Sequence, residues 1–256
     1  MSFPNFKNKH LWDSMISPRE FIEYEKKQGR GYKGPVPKGV IFCYDSRLLG
    51  YVIESHPHTK KTTARFGGDF YIVGGTKNKI GLIANFGIGA PVAATVMEEL
   101  IAIGVRRFIS IGSAGTLQKH IKIGDIVVCD KAIRDEGTSF HYLKPSKYSY
   151  ASSRIVNKIG AALKKTKKKY VIGTSWTIDA PYRETVAEAR RYQKEGVATV
   201  EMEAAALFAV GQFRKVDVGA IFSVSDSLAE LVWDPQFHNA YKERGLLFEV
   251  AKEALL

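Results

Sequence analysis

Two stretches of this chain are apolar at successive positions of an extended backbone: RFISIG at 107–112 and VDVGAIFSV at 216–224. A strand with one wet face alternates, so a strand apolar on both faces belongs at the centre of a sheet covered by helices on each side. Further strand-like runs fall at Gly39–Tyr44, Phe70–Gly74, Lys79–Asn85, Asp125–Ala132 and Tyr170–Thr174. Helical runs separate them at Ser46–Glu54, Pro91–Ile103, Ala151–Lys164, Glu184–Lys194, Glu203–Phe213 and Pro235–Leu255. This alternation predicts an α/β sandwich. No repeat or low-complexity tract divides it, which favours one domain over residues 1–256, with 1–38 as an N-terminal extension and linker. Ser17-Pro18 opens a short charged helix there.

Charge and cysteine use narrow the setting. The formal net charge is +12, but its densest cluster (Lys158, Lys164, Lys165, Lys167, Lys168, Lys169) closes a predicted helix, where cations complement the dipole and face water. No aromatic residue interleaves that cluster, which argues against a nucleic-acid partner. Cys43 and Cys129 lie inside strand runs, as reduced buried thiols do, and no apolar run is long enough to span a bilayer. The N-terminal MSFPNFKNKHLWDS lacks a signal-peptide core, so a cytoplasmic location with no membrane partner is expected. The histidines and cysteines form no metal-binding pattern, and no metal is expected.

The segment VATVEMEAAALFAV, 197–210, places Glu201 and Glu203 between a β-rich run and a helix apolar on all sides. An ionised carboxylate there must find partners or lose its charge. Two readings stay open: acidic residues of a helix first turn, or a carboxylate facing a buried polar ligand such as the hydroxyls of a sugar. Three further segments follow strands, where ligands of open α/β sheets bind. Gly112-Ser113-Ala114-Gly115-Thr116 offers small residues and hydroxyls suited to an oxyanion. Asn85-Phe86-Gly87-Ile88-Gly89-Ala90-Pro91 is a tight strand-to-helix turn or an anion-facing helix start, and matches neither a dinucleotide fingerprint nor a Walker loop. Ser223-Val224-Ser225-Asp226-Ser227 ends a strand with an acid that is either a helix cap or a general acid.

FGIGAP, SIGSAG, IKIGDIVV, VEMEAAALFAV and SVSDS together, in this order from about Gly39 onward, resemble the nucleoside phosphorylase family. That family includes purine nucleoside phosphorylase and uridine phosphorylase, with the methylthioadenosine/adenosylhomocysteine nucleosidases as relatives. The resemblance implies a three-layer αβα sandwich around a mixed, partly barrel-like central sheet. It also implies a homodimer or homohexamer with sites shared across the dimer interface. The implied reaction is cleavage of an N-glycosidic bond, with inorganic phosphate as co-substrate and no cofactor.

Residue by residue, Glu203 is expected to grip the ribose hydroxyls, Met202 to pack on the sugar, and Glu201 to support them. Asp226 is expected to protonate the leaving base, and Ser225-Asp226 is similar to the purine-acting members. Tyr182 falls in the base-pocket segment, although Pro181 stands where the family has phenylalanine. Trp233 is an aromatic wall by position, and His10 is the histidine approaching the sugar 5′ end. Arg47, Arg65, Ser113 and Gly115 are expected to hold phosphate. Ser110 stands where an arginine is common, which points to weaker phosphate binding or to another cation such as Arg134. The expected activity is therefore phosphorolysis of a purine ribonucleoside to base and ribose 1-phosphate. The alternatives are a uridine phosphorylase, a nucleosidase using water, and a non-catalytic nucleoside- or nucleic-acid-binding relative.

Overall fold

The computed structural model describes residues 6–240 and 244–256. The strands are β1 (Gly39–Cys43), β2 (Lys60–Arg65), β3 (Asp69–Ile72), β4 (Ile80–Ala84), β5 (Arg107–Thr116), β6 (Ile126–Asp135), β7 (Tyr148–Tyr150), β8 (Tyr170–Ile178), β9 (Thr199–Glu201), β10 (Asp217–Ser227) and β11 (Asp234–Pro235). The α-helices are α1 (Pro18–Lys27), α2 (Ser46–Ser55), α3 (Ala90–Ala102), α4 (Ser153–Thr166), α5 (Val186–Lys194), α6 (Ala204–Arg214), α7 (Phe237–Ala240) and α8 (Arg244–Leu255). None of the described helices is long and apolar enough to cross a membrane.

One mixed sheet organises them. From the edge it runs β2, β3, β4, β1, β5, and beyond β5 it closes into a ring of five strands, β5–β10–β6–β8–β9 and back to β5. Adjacent side chains on the central strands go to opposite faces, as the pleat requires. Phe42, Phe108 and Phe222 join Met97 and Leu100 of α3 and Leu207 and Phe208 of α6 in one core. Their neighbours Ile41, Ile109 and Ile221 join Leu49 of α2, Ile155 and Ile159 of α4, and Leu247 and Phe248 of α8 in the other. These are the two covered faces that the apolar runs require, and the result is the helix–sheet–helix sandwich with a barrel-like closure. Each fully buried Ile or Phe contributes about 1.5–3 kcal/mol, which makes this double-sided burial the main determinant of the layers.

The ring explains where the strands outrun expectation. β5 continues through Gly112–Thr116, expected as a loop, because β10 pairs with it over its whole length and β9 pairs with Gly115 and Thr116. β10 likewise runs to Ser227, with an irregularity: Val224 lies opposite Ala114 and Asp226 opposite Gly115, so Ser225 is an extra residue, a β-bulge. β2, the sequence KKTTAR, went unseen because its polar, Lys-bearing pattern is that of a guarded sheet edge rather than a core strand. The helix expected over Pro235–Leu255 is described as α7 and α8.

Candidate active site

At the rim of the ring, β9 ends on Glu201 and α6 begins at Ala204. The two carboxylates of that turn do different work. Glu201 Oε2 accepts the backbone N–H groups of Glu203 (2.9 Å) and Ala204 (2.8 Å), capping α6. Its Oε1 accepts the Ser175 hydroxyl (3.3 Å) and the Thr177 hydroxyl, both from β8. Thr177 Oγ1 in turn accepts the Ala205 N–H (3.0 Å). Glu201 thus fits the helix-start reading and welds β8, β9 and α6 together.

Glu203 fits the other reading. It is the N-cap residue of α6, yet its side chain makes no cap hydrogen bond. Oε1 instead accepts the N–H of Gly89 (2.6 Å), which opens α3 with φ of 101°. A side chain there would be strained, so glycine frees that donor. The Met202 N–H is a further donor to this carboxyl, and the residue is only 9% exposed. Burial raises both carboxyl groups above the ordinary range, and the charge of Glu201 raises Glu203 further. Four donors on Glu201 oppose its shift, whereas Glu203 has the backbone N–H groups of Gly89 and Met202. Glu203 is therefore the member of the pair that keeps a proton more readily.

Beside them, Tyr44 follows β1. Its hydroxyl shares a hydrogen bond with Ser110 Oγ (3.1 Å), and its ring meets Phe86 at 5.1 Å between centroids. Burial, then the nearby charge of Glu203, pushes the Tyr44 phenol well above its usual range. Tyr44 and Ser110 thus form a neutral pair at the position where an arginine was expected.

The second end of the site lies across two strands. Asp226 stands opposite Gly115 of β5, and Gly115 stands opposite Val200 of β9, the residue before Glu201. A Cβ on Gly115 would come 2.8 Å from Asp226 Oδ2, so the glycine makes room for this carboxylate. Asp226 Oδ1 accepts the Ser225 hydroxyl (2.7 Å) and Oδ2 accepts Trp233 Nε1–H (3.0 Å). The bulge residue and the aromatic residue expected by position thus both hold Asp226, although Trp233 is 60% exposed and leans on Phe237.

The remaining expected residues lie on several elements. Met202 is half-buried in the Glu201–Glu203 turn, and Ser113 is half-buried in β5 opposite Ser223. Tyr182 lies in the short 3-10 helix Pro181–Arg183 with its side chain fully exposed. Arg47 sits in the first turn of α2, where its N–H donates to the capping Asp45 (2.9 Å). Arg65 ends β2, and its side chain lies outside the described residues. His10, in the 3-10 helix Lys9–Leu11, lines a groove of about 1160 Å³ that also borders Pro91, Glu98 and Asp179. Arg134 is committed elsewhere: it donates to Ser139, Ser146 and the Lys144 carbonyl and stacks on Phe140.

Four site residues escaped the sequence reading. Tyr44 and Thr177 carried no motif of their own, and Gly89 was noted only for its turn. Glu184, just after the Pro181–Arg183 helix, is half-buried, and burial followed by the charge of Asp226 raises its carboxyl to about 7. Its signal was an acid directly after the segment assigned to the base pocket, at the start of the expected helix Glu184–Lys194.

A closed five-strand ring with buried acids and helices over both faces describes an α/β enzyme fold, a class in which ligands bind at strand ends. Residues 39–253 match the model of the phosphorylase superfamily, and the chain belongs to that family. It is 29% identical over 200 residues, 77% of its length and 85% of the relative's, to a DeoD-type purine nucleoside phosphorylase of Caldanaerobacter subterraneus. A guanosine phosphorylase of Halorubrum lacusprofundi is 31% identical over 146 residues; the chain spans about three fifths of that relative (61%), and 57% of the chain is covered. Among solved structures, a uridine phosphorylase from Vibrio fischeri superposes with a TM-score of 0.75 at 28% identity, covering 86% of this chain and 92% of that one.

Proposed function

We propose that this protein is a nucleoside phosphorylase that cleaves a purine ribonucleoside to the free base and ribose 1-phosphate. The observation that carries the reading is Glu203, buried and held by the backbone N–H of Gly89 rather than spent on capping its own helix. Such a carboxyl binds the ribose hydroxyls, and in its ionised form it favours the positive charge that develops at the anomeric carbon of the flattening sugar. Asp226 lies at the opposite end, where the departing base needs a proton. An aspartate at the base end suits a purine nitrogen acceptor and supports the purine reading over uridine. Ser113, Gly115, Arg47 and Arg65 are the proposed phosphate ligands, and His10 the residue toward the sugar 5′ end, in a homo-oligomer working in the cytoplasm without a metal or organic cofactor.

The neutral Tyr44–Ser110 pair favours one rival, a nucleosidase in which water attacks, because it removes a cation from the place phosphate would use. Turnover of inosine, adenosine, guanosine and uridine with and without inorganic phosphate separates the two. The proposal expects a purine nucleoside to react at least tenfold faster with phosphate and to yield ribose 1-phosphate. Equal rates and free ribose would assign the protein to the nucleosidases, and no turnover of any of the four would leave it a binder.

A further inference from the structure

Two strands share one edge of β5. β10 pairs with β5 from Arg107 to Thr116 and so fills the other edge. β1 climbs the shared edge in parallel and stops with Cys43 opposite Ile111, while β9 descends it antiparallel with Val200 opposite Gly115. Only Gly112, Ser113 and Ala114 lie between those marks, about 13 Å of strand from Ile111 to Gly115. The chain leaving β1 begins with Tyr44, and the chain leaving β9 carries Glu203. The two run toward each other in that gap.

Side-chain contacts agree with the register. Phe108 and Ala114 of β5 face the core under α3 and α6, so Ser110 and Gly112, at alternate positions between them, share that face. The Tyr44 ring packs on the same core: a Cβ on Gly112 would lie 3.9 Å from Tyr44 Cδ2. Its hydroxyl meets buried Ser110 Oγ at 3.1 Å. On its other side the ring meets Phe86, in the turn whose Gly89 N–H holds Glu203.

Asp226 stands on β10, across β5 from this gap. A ligand with its sugar at Glu203 and its base at Asp226 therefore crosses β5 away from β1. The oxygen that replaces a departing group enters on the face of the sugar opposite to it. Here that is the β1 side, where Tyr44 and Ser110 stand. Burial and the nearby Glu203 keep the phenol protonated. When the Ser110 hydroxyl donates to the phenolic oxygen, the phenol O–H is left to donate to an incoming oxygen.

Resting on the phosphorylase reading, we propose that the Tyr44 hydroxyl, oriented by Ser110, seats the attacking phosphate on the face of the sugar turned away from the base. A phosphate oxygen forms the bond to the sugar carbon, the bond to the base nitrogen breaks, and its electron pair leaves with the base. Asp226 supplies the proton that the base takes up and regains one from solvent. Tyr44 keeps its own proton throughout.

The test measures KM for phosphate and KM for the purine nucleoside separately, beside thermal melts. Tyr44→Phe deletes one oxygen and keeps the ring, and it raises the phosphate KM about tenfold with the nucleoside KM little changed. Tyr44→Phe/Ser110→Ala removes both hydroxyls, leaves no buried orphan, and shows the same phosphate shift at a wild-type melting temperature. Ser110→Thr keeps the orienting hydroxyl and the wild-type phosphate KM. An unchanged phosphate KM in both Tyr44 variants, or an equal rise in both KM values, would overturn the proposal by giving Tyr44 no role or a merely structural one. A wild-type rate indifferent to phosphate would instead overturn the phosphorylase reading, and the seating of phosphate with it.

Discussion

Glu203 stands on a turn where Glu201 claims the N–H groups of residues 203 and 204, whereas Asp226 stands beside a strand bulge and leans on the exposed ring of Trp233. The end proposed for the sugar is built from β8, β9, α3 and α6, and every group that positions its key carboxyl is itself buried. The end proposed for the base combines one fixed strand with two loops. On that proposal, the contrast teaches that the part of the ligand common to all ribonucleosides would be held by the core and the variable part by segments that can change without disturbing it. Rigid elements hold chemistry more closely than loops do.

The strongest way to break that comparison is to separate activity from stability within the acidic pair. Glu203→Ala should lower kcat/KM by about a thousandfold or more, as loss of a group that stabilises developing charge does, with the melting temperature kept. Glu201→Ala should instead lower unfolding stability by about 4 kcal/mol, because two hydroxyls and two N–H donors lose a buried acceptor. Denaturant melts beside steady-state rates read both; a stable, inactive Glu201→Ala would erase the division of labour.

At the other end, Asp226→Asn should cost about a hundredfold in kcat on a purine nucleoside with KM little changed, the range for a general acid. Gly115→Ala should follow with a smaller loss, about tenfold, because its Cβ would meet Asp226 Oδ2 at 2.8 Å and Leu228 Cδ1 at 2.8 Å. Should Gly115→Ala leave kcat untouched, Asp226 would be less fixed than its strand suggests.

The smallest effect sharpens the energetics of the sugar end. The folded state holds Glu203 above its ordinary range, so the unfolded chain releases that proton first as pH rises. The stability this carboxyl contributes is full below the unfolded value and declines as pH rises toward the folded one. Glu203→Gln should remove that decline, giving a flatter stability profile between pH 5 and 8 by chemical denaturation.

How much of this was legible follows from the same contrast. RFISIG and VGAIFSVS gave the central strands because double-sided burial leaves a mark at every position. VEMEA marked the Glu201–Glu203 turn because carboxylates beside an apolar helix need a reason. The closure of the ring was not legible from the residues, since Gly112–Thr116 reads as a turn until β9 and β10 are known to pair with it. Tyr44 was invisible because a tyrosine after a strand has no periodic signature. Glu184 looked like an ordinary helix-opening acid, and only its burial and the negative charges acting on it distinguish it.

The Asp226–Gly115–Val200 row has a further consequence. Three strands lie side by side there, so the backbone at Asp226 and the backbone leading into Glu201 are separated by two interstrand spacings, about 10 Å. Hydrogen-bonded ladders hold that interval as a ruler with fixed ends. Evolution can exchange what sits at either mark, but lengthening the measured object would require an added strand. A shift in ligand preference within this architecture should therefore come by redecorating the marks, never by stretching the scale.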